Sequence, residues 1–238
     1  MTTAAIVPAA GRGERLGPGT PKAFRDLGGL PILVHAVRAL VSARSVDLVV
    51  VAAPPDDGGV DEVRLLLSDH VPMANVVIVP GGSSRQQSVA LALDHLPITV
   101  DVVLVHDAAR PLVPVELVDA VASAVRAGAG AVIPVLPVSD TVKEIDPGGR
   151  VVRTIDRSVL RAVQTPQGFD RALLAEAYRS AAAEGIDDLT DDAGLVERIG
   201  HTVVVVPGHE EAFKVTRPFD LVIAEAVLAR RRSAGVMA

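Results

Sequence analysis

The chain has 238 residues, which is enough for one large domain with a substantial core. Hydrophobic residues make up 49% of it but aromatic residues only 2%, so the core must consist of valine, leucine, isoleucine and alanine, as in buried parallel strands. The net charge of -6 and the scarcity of aromatic side chains argue against nucleic-acid binding, and the absence of cysteine excludes disulfides and thiolate chemistry.

The sequence also bears on location. The N-terminal apolar run has no basic start and is interrupted by Pro8 and Arg12, so we expect no signal peptide. No apolar stretch approaches the roughly 18 residues of a membrane-spanning helix. We therefore expect a cytoplasmic protein that binds neither membranes nor nucleic acids.

The first predicted element is a short strand that runs into a glycine-containing loop, AIVPAAGRGERLGPGTPK at residues 5–22. Gly11 and Gly13 lack a Cβ, so backbone N–H groups can approach an anion, and Arg15 and Lys22 add positive charge. A glycine pair after a strand can also be an ordinary turn, but together with these cations it predicts a site for a nucleoside triphosphate.

Two common phosphate-binding loops do not fit this stretch. The Walker pattern ends in Gly-Lys-Ser/Thr, whereas Lys22 precedes Ala23. In the dinucleotide fingerprint the last glycine comes one place earlier than Gly17, and the second predicted strand ends without an acid for the ribose. The pattern that fits is that of nucleotidyltransferases: an apolar strand, Ala-Ala-Gly-x-Gly-x-Arg, and then Pro-Lys.

Strands and helices alternate regularly after the loop. Helices are predicted over residues 31–43, 60–69, up to about 93, and 114–127. Strands are predicted over residues 47–53, 75–79, 101–105 and 131–135. This βαβα order predicts a single α/β domain with a doubly wound, mostly parallel, Rossmann-like sheet, whose ligands gather beyond the carboxyl ends of the strands.

Two of these strand ends carry candidate site residues. The third strand is followed by GGSSRQQSV, in which Gly82 permits close approach and Ser88 either donates to a nucleoside or is a solvated helix residue. The fourth strand runs into HDAARP. Asp107 there needs a partner, which is either a divalent metal or Arg110, and Arg110 could instead bind a phosphate.

The pattern changes near residue 138. Residues 140–145 and 150–155 predict two strands about a tight turn. Because a hairpin is seldom stable alone, residues 138–157 are predicted to be an arm that clasps a second subunit in a homodimer. Residues 163–169 receive no element; helices follow from about 170 to 183 and from 190 to about 200, then a strand at 202–206 and a C-terminal helix.

Seven motifs together resemble the 2-C-methyl-D-erythritol 4-phosphate cytidylyltransferase family. They are PAAGRGERL with PK, GGSSRQQSV, VHDAARP, DTVKE, DR before TPQGF, TDDAGLVE and FKVTRP, in the family's order and over nearly the whole chain. One departure is Ser83, where many relatives carry an acid.

The resemblance implies transfer of CMP from CTP to 2-C-methyl-D-erythritol 4-phosphate, release of pyrophosphate and a need for Mg²⁺. It implies nucleotide binding by Ala9, Ala10, Gly11, Gly13, Gly82 and Ser88. It implies stabilisation of the triphosphate and the transition state by Arg15, Lys22 and Lys214. It implies binding of the acceptor by Asp107, Arg110, Thr141, Arg157, Thr165, Thr190 and Lys214, with Asp107 also on the metal. Because some of these lie near the hairpin, a partner subunit would complete each site.

Three other functions are compatible with parts of the sequence. A ribitol 5-phosphate cytidylyltransferase has similar motifs, although HDAARP and FKVTRP favour the methylerythritol family. A sugar-phosphate nucleotidyltransferase would use UTP or GTP. A non-catalytic nucleotide-binding module would be expected to lack some of Arg15, Lys22, Asp107 and Lys214, and the chain has all four.

Overall fold

The valine-rich runs form the buried strands of a mixed sheet in the computed structural model, which describes residues 1–11, 22–187 and 191–235. The strands are Thr2–Pro8 (β1), Asp26–Leu27 (β2), Leu30–Pro31 (β3), Leu48–Ala53 (β4), Val76–Pro80 (β5), Val100–Val105 (β6), Ala131–Pro137 (β7), Val142–Ile145 (β8), Val151–Ile155 (β9), Arg161–Val163 (β10), Gln167–Asp170 (β11) and Val204–Pro207 (β12). The α-helices are Ile32–Ser42 (α1), Gly59–Ser68 (α2), Arg85–Asp94 (α3), Val115–Arg126 (α4), Arg171–Ala183 (α5), Ala193–Arg198 (α6) and Pro218–Ser233 (α7).

The strand order changes direction at β1: the strands of the mixed sheet that follow β1 are added first on one side of it and then on the other. Strands β5, β4, β1 and β6 lie side by side and are parallel. The chain builds outward from β1 to β5, and α3 then returns it to the other side of β1, where β6 pairs. In sheets of this kind, ligands bind beyond the carboxyl ends of the strands at such a reversal.

The other half of the sheet is mixed. Strand β11 pairs antiparallel with both β6 and β7, and β7 also pairs antiparallel with β10 and parallel with β12. The predicted α/β fold with a mostly parallel sheet is therefore confirmed. No strand is predicted at residues 163–169, so the antiparallel strand β11 between β6 and β7 is a difference from the predicted fold.

Helices cover both faces of the sheet because successive strand residues point to opposite sides. Ala5 and Val7 of β1 pack in one buried cluster with α1, α2 and α4. Ala4 and Ile6 pack in a second cluster with α3, α5 and α6. Within the described residues, no helix is both long and apolar enough to cross a membrane.

The predicted hairpin is present as a separate two-stranded sheet formed by β8 and β9, here called the arm. Three apolar side chains of the arm are mostly in solvent: Ile145, Val151 and Val152 are 61%, 60% and 58% exposed. The arm therefore buries little of its own apolar surface.

Helix α7 packs on a third apolar cluster that fixes the segment before it. Val215 and Leu112 are buried in this cluster together with Leu228 of α7. The backbone N–H of Val215 donates to the carbonyl oxygen of Ala109 at 2.8 Å. The residues around Lys214 are thereby held against the loop that follows β6.

The core on the β11 side provides a stability test. Phe169 of β11 is fully buried, whereas Phe219 of α7 is 70% exposed. We expect Phe169→Ala to lower the free energy of unfolding by about 3–5 kcal/mol, because it removes a buried ring and leaves a cavity. The matched variant Phe219→Ala should change it by no more than about 0.5 kcal/mol. Urea unfolding of both variants measures the difference, and equal losses would contradict this assignment of the core.

Candidate active site

A cavity of about 200 Å³ lies beyond the carboxyl ends of β1 and β6, at the reversal of the sheet. Its walls come from three loops and from three single residues. The lining consists of residues 8–11, 82–85 and 107–109, with Ala23, Ser88 and Lys214. Five of the predicted nucleotide-binding residues therefore meet at one place, together with Asp107 and Lys214.

The glycine pair before α3 lets two loops come close together. A Cβ on Gly81 would lie 2.7 Å from the Cβ of Ala10 and 2.8 Å from the carbonyl oxygen of Ala53, so only glycine fits. The N–H of Gly82 donates to Ser88 Oγ at 3.0 Å, and this hydroxyl donates to the Ser84 carbonyl at 2.8 Å. Ser88 is 1% exposed, so the alternative of a solvated helix serine is wrong.

Asp107 is the charged centre of the cavity. Its Oδ1 accepts from Arg85 Nε at 3.0 Å, and its Oδ2 accepts from Lys214 Nζ at 2.8 Å. Burial by itself would raise the pKa of Asp107, but the charges of Arg85 and Lys214 outweigh it and hold this pKa far below its usual value. The carboxylate is therefore ionised at any pH at which the protein would be assayed.

Arg85 also reaches a second buried acid. Its Nη2 donates to Asp192 Oδ2 at 2.7 Å, and the hydroxyl of Tyr178 donates to Asp192 Oδ1. Burial opposes the charge of Arg85, but the two carboxylates outweigh it and raise its pKa. Burial and the adjacent carboxylate likewise raise the pKa of Tyr178, which stays a neutral donor.

Thr165 and His106 form a buried hydrogen-bond network with the backbone of Asp107. Its N–H donates to Thr165 Oγ1 at 3.0 Å, and Thr165 Oγ1 lies 3.2 Å from His106 Nδ1. His106 Nε2 lies 3.1 Å from the carbonyl oxygen of Arg110, which can only accept. This network assigns the proton to Nε2 and makes Nδ1 the acceptor of the Thr165 hydroxyl.

Arg110 fastens two backbone segments instead of facing the cavity. Its Nη1 donates to the Ala212 carbonyl at 2.8 Å and its Nη2 to the Val163 carbonyl at 3.2 Å. Its Nε lies 3.9 Å from Asp107 Oδ2 and makes no hydrogen bond. Burial lowers the pKa of Arg110. Asp107 takes its hydrogen bonds from Arg85 and Lys214 and lies only at ion-pair distance from Arg110; phosphate binding by Arg110 stays a prediction.

The remaining predicted site residues fall into two groups. Thr141 and Arg157 are exposed near the arm and do not line the cavity of their own chain. Gly13, Arg15 and Thr190 lie outside the described residues. Lys22 begins a short 3-10 helix, Lys22–Phe24, and its side chain is outside the description.

Two residues of the site were missed by the sequence analysis. The sequence predicts no separate role for Arg85, which lies within the GGSSRQQSV motif, and it predicts Asp192 at the start of a helix, where an acid suits the dipole. In the structure, Asp192 makes no side-chain hydrogen bond that caps α6. The sequence signal for this pair was weak, because an arginine and an aspartate at helix starts are ordinary solvated residues.

The described cation that the cavity can offer to a phosphate is Lys214. Arg85 is paired with both Asp107 and Asp192, whereas Lys214 is paired with Asp107 alone and its side chain is partly exposed. The described residues contain no cluster of three or more histidine, aspartate or glutamate side chains that could hold a metal by itself. A Mg²⁺ ion that takes most of its ligands from phosphates and water, with one carboxylate, does fit this donor set.

Comparisons with known proteins agree on one family. A family model described as 2-C-methyl-D-erythritol 4-phosphate cytidylyltransferase matches residues 3–230. A protein of that name from Streptomyces coelicolor is 61% identical, over 97% of this chain and 86% of its own. The crystal structure of 4-diphosphocytidyl-2C-methyl-D-erythritol synthase from Anaerococcus prevotii has a TM-score of 0.82 at 29% identity, over 96% of both chains. The 2-C-methyl-D-erythritol 4-phosphate cytidylyltransferase from Thermus thermophilus has a TM-score of 0.75 at 38% identity, over 95% of this chain and 98% of that one.

The burial of His106 generates a pH prediction. Desolvation lowers its pKa from 6.5 to about 4, so between these values the unfolded chain binds a proton that the folded chain does not. Stability should therefore fall as the pH drops from 6.5 to 4, by about 3 kcal/mol for this group. Urea unfolding across this range measures the loss. His106→Gln should flatten the curve, and His95→Gln, at an exposed position, should not; equal curves for all three proteins would contradict the prediction.

Proposed function

Because the chain belongs to the 2-C-methyl-D-erythritol 4-phosphate cytidylyltransferase family, we infer that it transfers CMP from CTP to 2-C-methyl-D-erythritol 4-phosphate and releases pyrophosphate. The reaction belongs to isoprenoid biosynthesis. The structural observation that supports this function is the cavity at the sheet reversal. There the loops of residues 8–11 and 82–85 lie beside Asp107 and Lys214.

The side chains of the cavity suit this reaction. A phosphate oxygen of the acceptor attacks the α-phosphorus of CTP, and the bond from that phosphorus to the β-phosphate oxygen breaks. The attacking oxygen is already anionic, so no serine, cysteine or histidine nucleophile is needed. Catalysis then depends on alignment and on positive charge near the α-phosphate, where negative charge accumulates in the transition state.

Lys214 is the described cation best placed for this role. Its ammonium contacts Asp107 with one donor, and its side chain is 37% exposed beside the cavity, so further donors can meet a phosphate. The roles of Arg15 and Lys22 on the triphosphate remain predictions from the sequence. Ala9, Ala10, Gly11 and Gly82 would contact the nucleotide through backbone groups, and Ser88 would shape their loop.

We propose Mg²⁺ as the metal of the reaction. Asp107 would supply one carboxylate, and the other ligands would come from phosphates and water. When bound, Mg²⁺ neutralises charge on the triphosphate. The chain itself keeps Asp107 ionised through Arg85 and Lys214, and each oxygen that accepts from one of these cations has a further lone pair for the metal or for a hydroxyl group of the acceptor.

We also propose that the enzyme is a homodimer and that the arm contacts a second copy. Support comes from the exposed side chains of Ile145, Val151 and Val152 on a hairpin that forms its own small sheet. Thr141 and Arg157, the predicted acceptor ligands near the arm, do not line the cavity of their own chain. A second copy would bring them to a cavity.

Removal of the Lys214 ammonium should abolish most of the activity. We expect Lys214→Ala to lower kcat/KM by about 100-fold or more, because one preorganised charge near the transition state is lost. The assay is pyrophosphate release with Mg²⁺, in which CTP, UTP, GTP and ATP are each tested with methylerythritol 4-phosphate and ribitol 5-phosphate.

The control is Arg64→Ala, which removes an exposed cation of α2 paired with exposed Asp61. Activity of the wild-type protein only with CTP and methylerythritol phosphate is the expected result. Activity with ribitol phosphate instead would keep the mechanism and change the substrate. Near wild-type turnover by Lys214→Ala would contradict the role of this lysine.

The proposed dimer has its own test. Light scattering at micromolar concentration should give about twice the chain mass of 24.6 kDa. The double variant Ile145→Asp, Val151→Asp places charges on two exposed apolar side chains that are paired across the strands of the arm, so it should be monomeric and should lose most of its turnover while its circular dichroism stays native. A monomeric wild-type protein, or a monomeric variant with full activity, would refute this proposal.

A further inference from the structure

Arg85 connects two carboxylates from different parts of the chain. It is the first residue of α3, with Asp107 Oδ1 on its Nε at 3.0 Å and Asp192 Oδ2 on its Nη2 at 2.7 Å. Asp107 follows β6, whereas Asp192 directly precedes α6. A planar guanidinium holds two carboxylates in fixed directions, which the compact ammonium of a lysine cannot do.

The neighbouring residue makes a parallel connection. Gln86 Nε2 donates to the carbonyl oxygen of Ile186 at 2.7 Å. Adjacent side chains of the first turn of α3 therefore bind Ile186, in the segment that follows α5, and Asp192, directly before α6. The same turn leads to Ser88, which supports the predicted nucleotide loop.

Both carboxylate oxygens of Asp192 are used in buried hydrogen bonds, one of them to Arg85. Only 1% of it is exposed, its two oxygens accept from Arg85 and Tyr178, and it makes no cap on α6. A buried ion pair is weak evidence for stability, because an apolar pair of the same volume would often be as stable. The pair does fix the direction of the Arg85 guanidinium, and hence the position of the carboxylate on its other side, Asp107.

We propose that Arg85 is a positioning residue for the acceptor side of the reaction. Asp192 orients the guanidinium of Arg85, and this guanidinium in turn orients the carboxylate of Asp107, which is predicted to bind methylerythritol phosphate. The inference rests on the proposed function, in which Asp107 meets that substrate.

The first test is Arg85→Gln, which keeps a polar side chain and removes the guanidinium group that contacts both carboxylates. We expect kcat/KM for methylerythritol phosphate to fall about 10- to 100-fold, mainly through KM, because Asp107 loses its orientation. The Kd for CTP, measured by calorimetry without acceptor and without Mg²⁺ so that Asp107 takes no part through a metal, should change less than about twofold. An equal loss in CTP binding would overturn the proposal and make Arg85 a nucleotide ligand.

The matched control is Arg171→Gln. Arg171 is likewise the first residue of a helix, α5, and donates to the carbonyl oxygens of Leu96 and Pro97, away from the cavity. Its substitution should leave both kinetic constants at wild-type values.

A second variant separates positioning from charge neutralisation. In Arg85→Gln, Asp192→Asn, no unpaired buried carboxylate remains at position 192, so the thermal midpoint should return toward that of the wild type, whereas kcat/KM for the acceptor should stay low. Recovery of both would overturn the proposal, because Arg85 would then serve only to neutralise Asp192. If the wild-type protein is active and Arg85→Gln has the same kinetic constants, the positioning role of Arg85 is refuted and the proposed function stands. If the wild-type protein is inactive, the proposed function is refuted as well.

Discussion

A carboxylate at the end of a buried strand sets the arrangement of charges at this site. Asp107 leaves β6 with about a tenth of its side chain exposed, and desolvation alone would favour its neutral form. Arg85 and Lys214 reverse that preference from distant parts of the chain. In its buried position the carboxylate stays charged because the fold brings α3 and the segment before α7 to the end of β6.

The packing of α7 therefore contributes to a site that this helix does not touch. Lys214 lies in irregular backbone, but the residues beside it are fixed: Val215 is buried under α7 and bonds to the loop after β6, and the carbonyl of Ala212 accepts from Arg110. The ammonium is held near Asp107 by these neighbours. Irregular segments can carry precise chemistry when both sides are fastened to a rigid scaffold.

The sequence predicted most of the fold because β4, β5 and β6 are apolar, valine-rich runs with clear boundaries, and their observed ends differ from the predicted ones by no more than one residue. Strand β11 was missed because QGFD is short and contains glycine and aspartate; it is a strand only because β6 and β7 leave a slot for it. At the site, Asp107 was predictable from its place at a strand end. Arg85 was not, because both of its partners are remote in sequence.

The two predicted sides of the site differ in how their residues are held in place. The segment predicted to bind the nucleotide pairs its own polar groups within a single chain, as the contacts of Gly82 and Ser84 with Ser88 show. The motif residues Thr141 and Arg157 lie instead by an arm that buries little apolar surface of its own. A two-stranded hairpin is marginal in water, so its residues are ordered well enough to bind a small phosphate only if the arm packs against another surface. Under the proposed dimer, acceptor binding would depend on assembly while nucleotide binding would not, and the two affinities would respond differently to dilution of the enzyme.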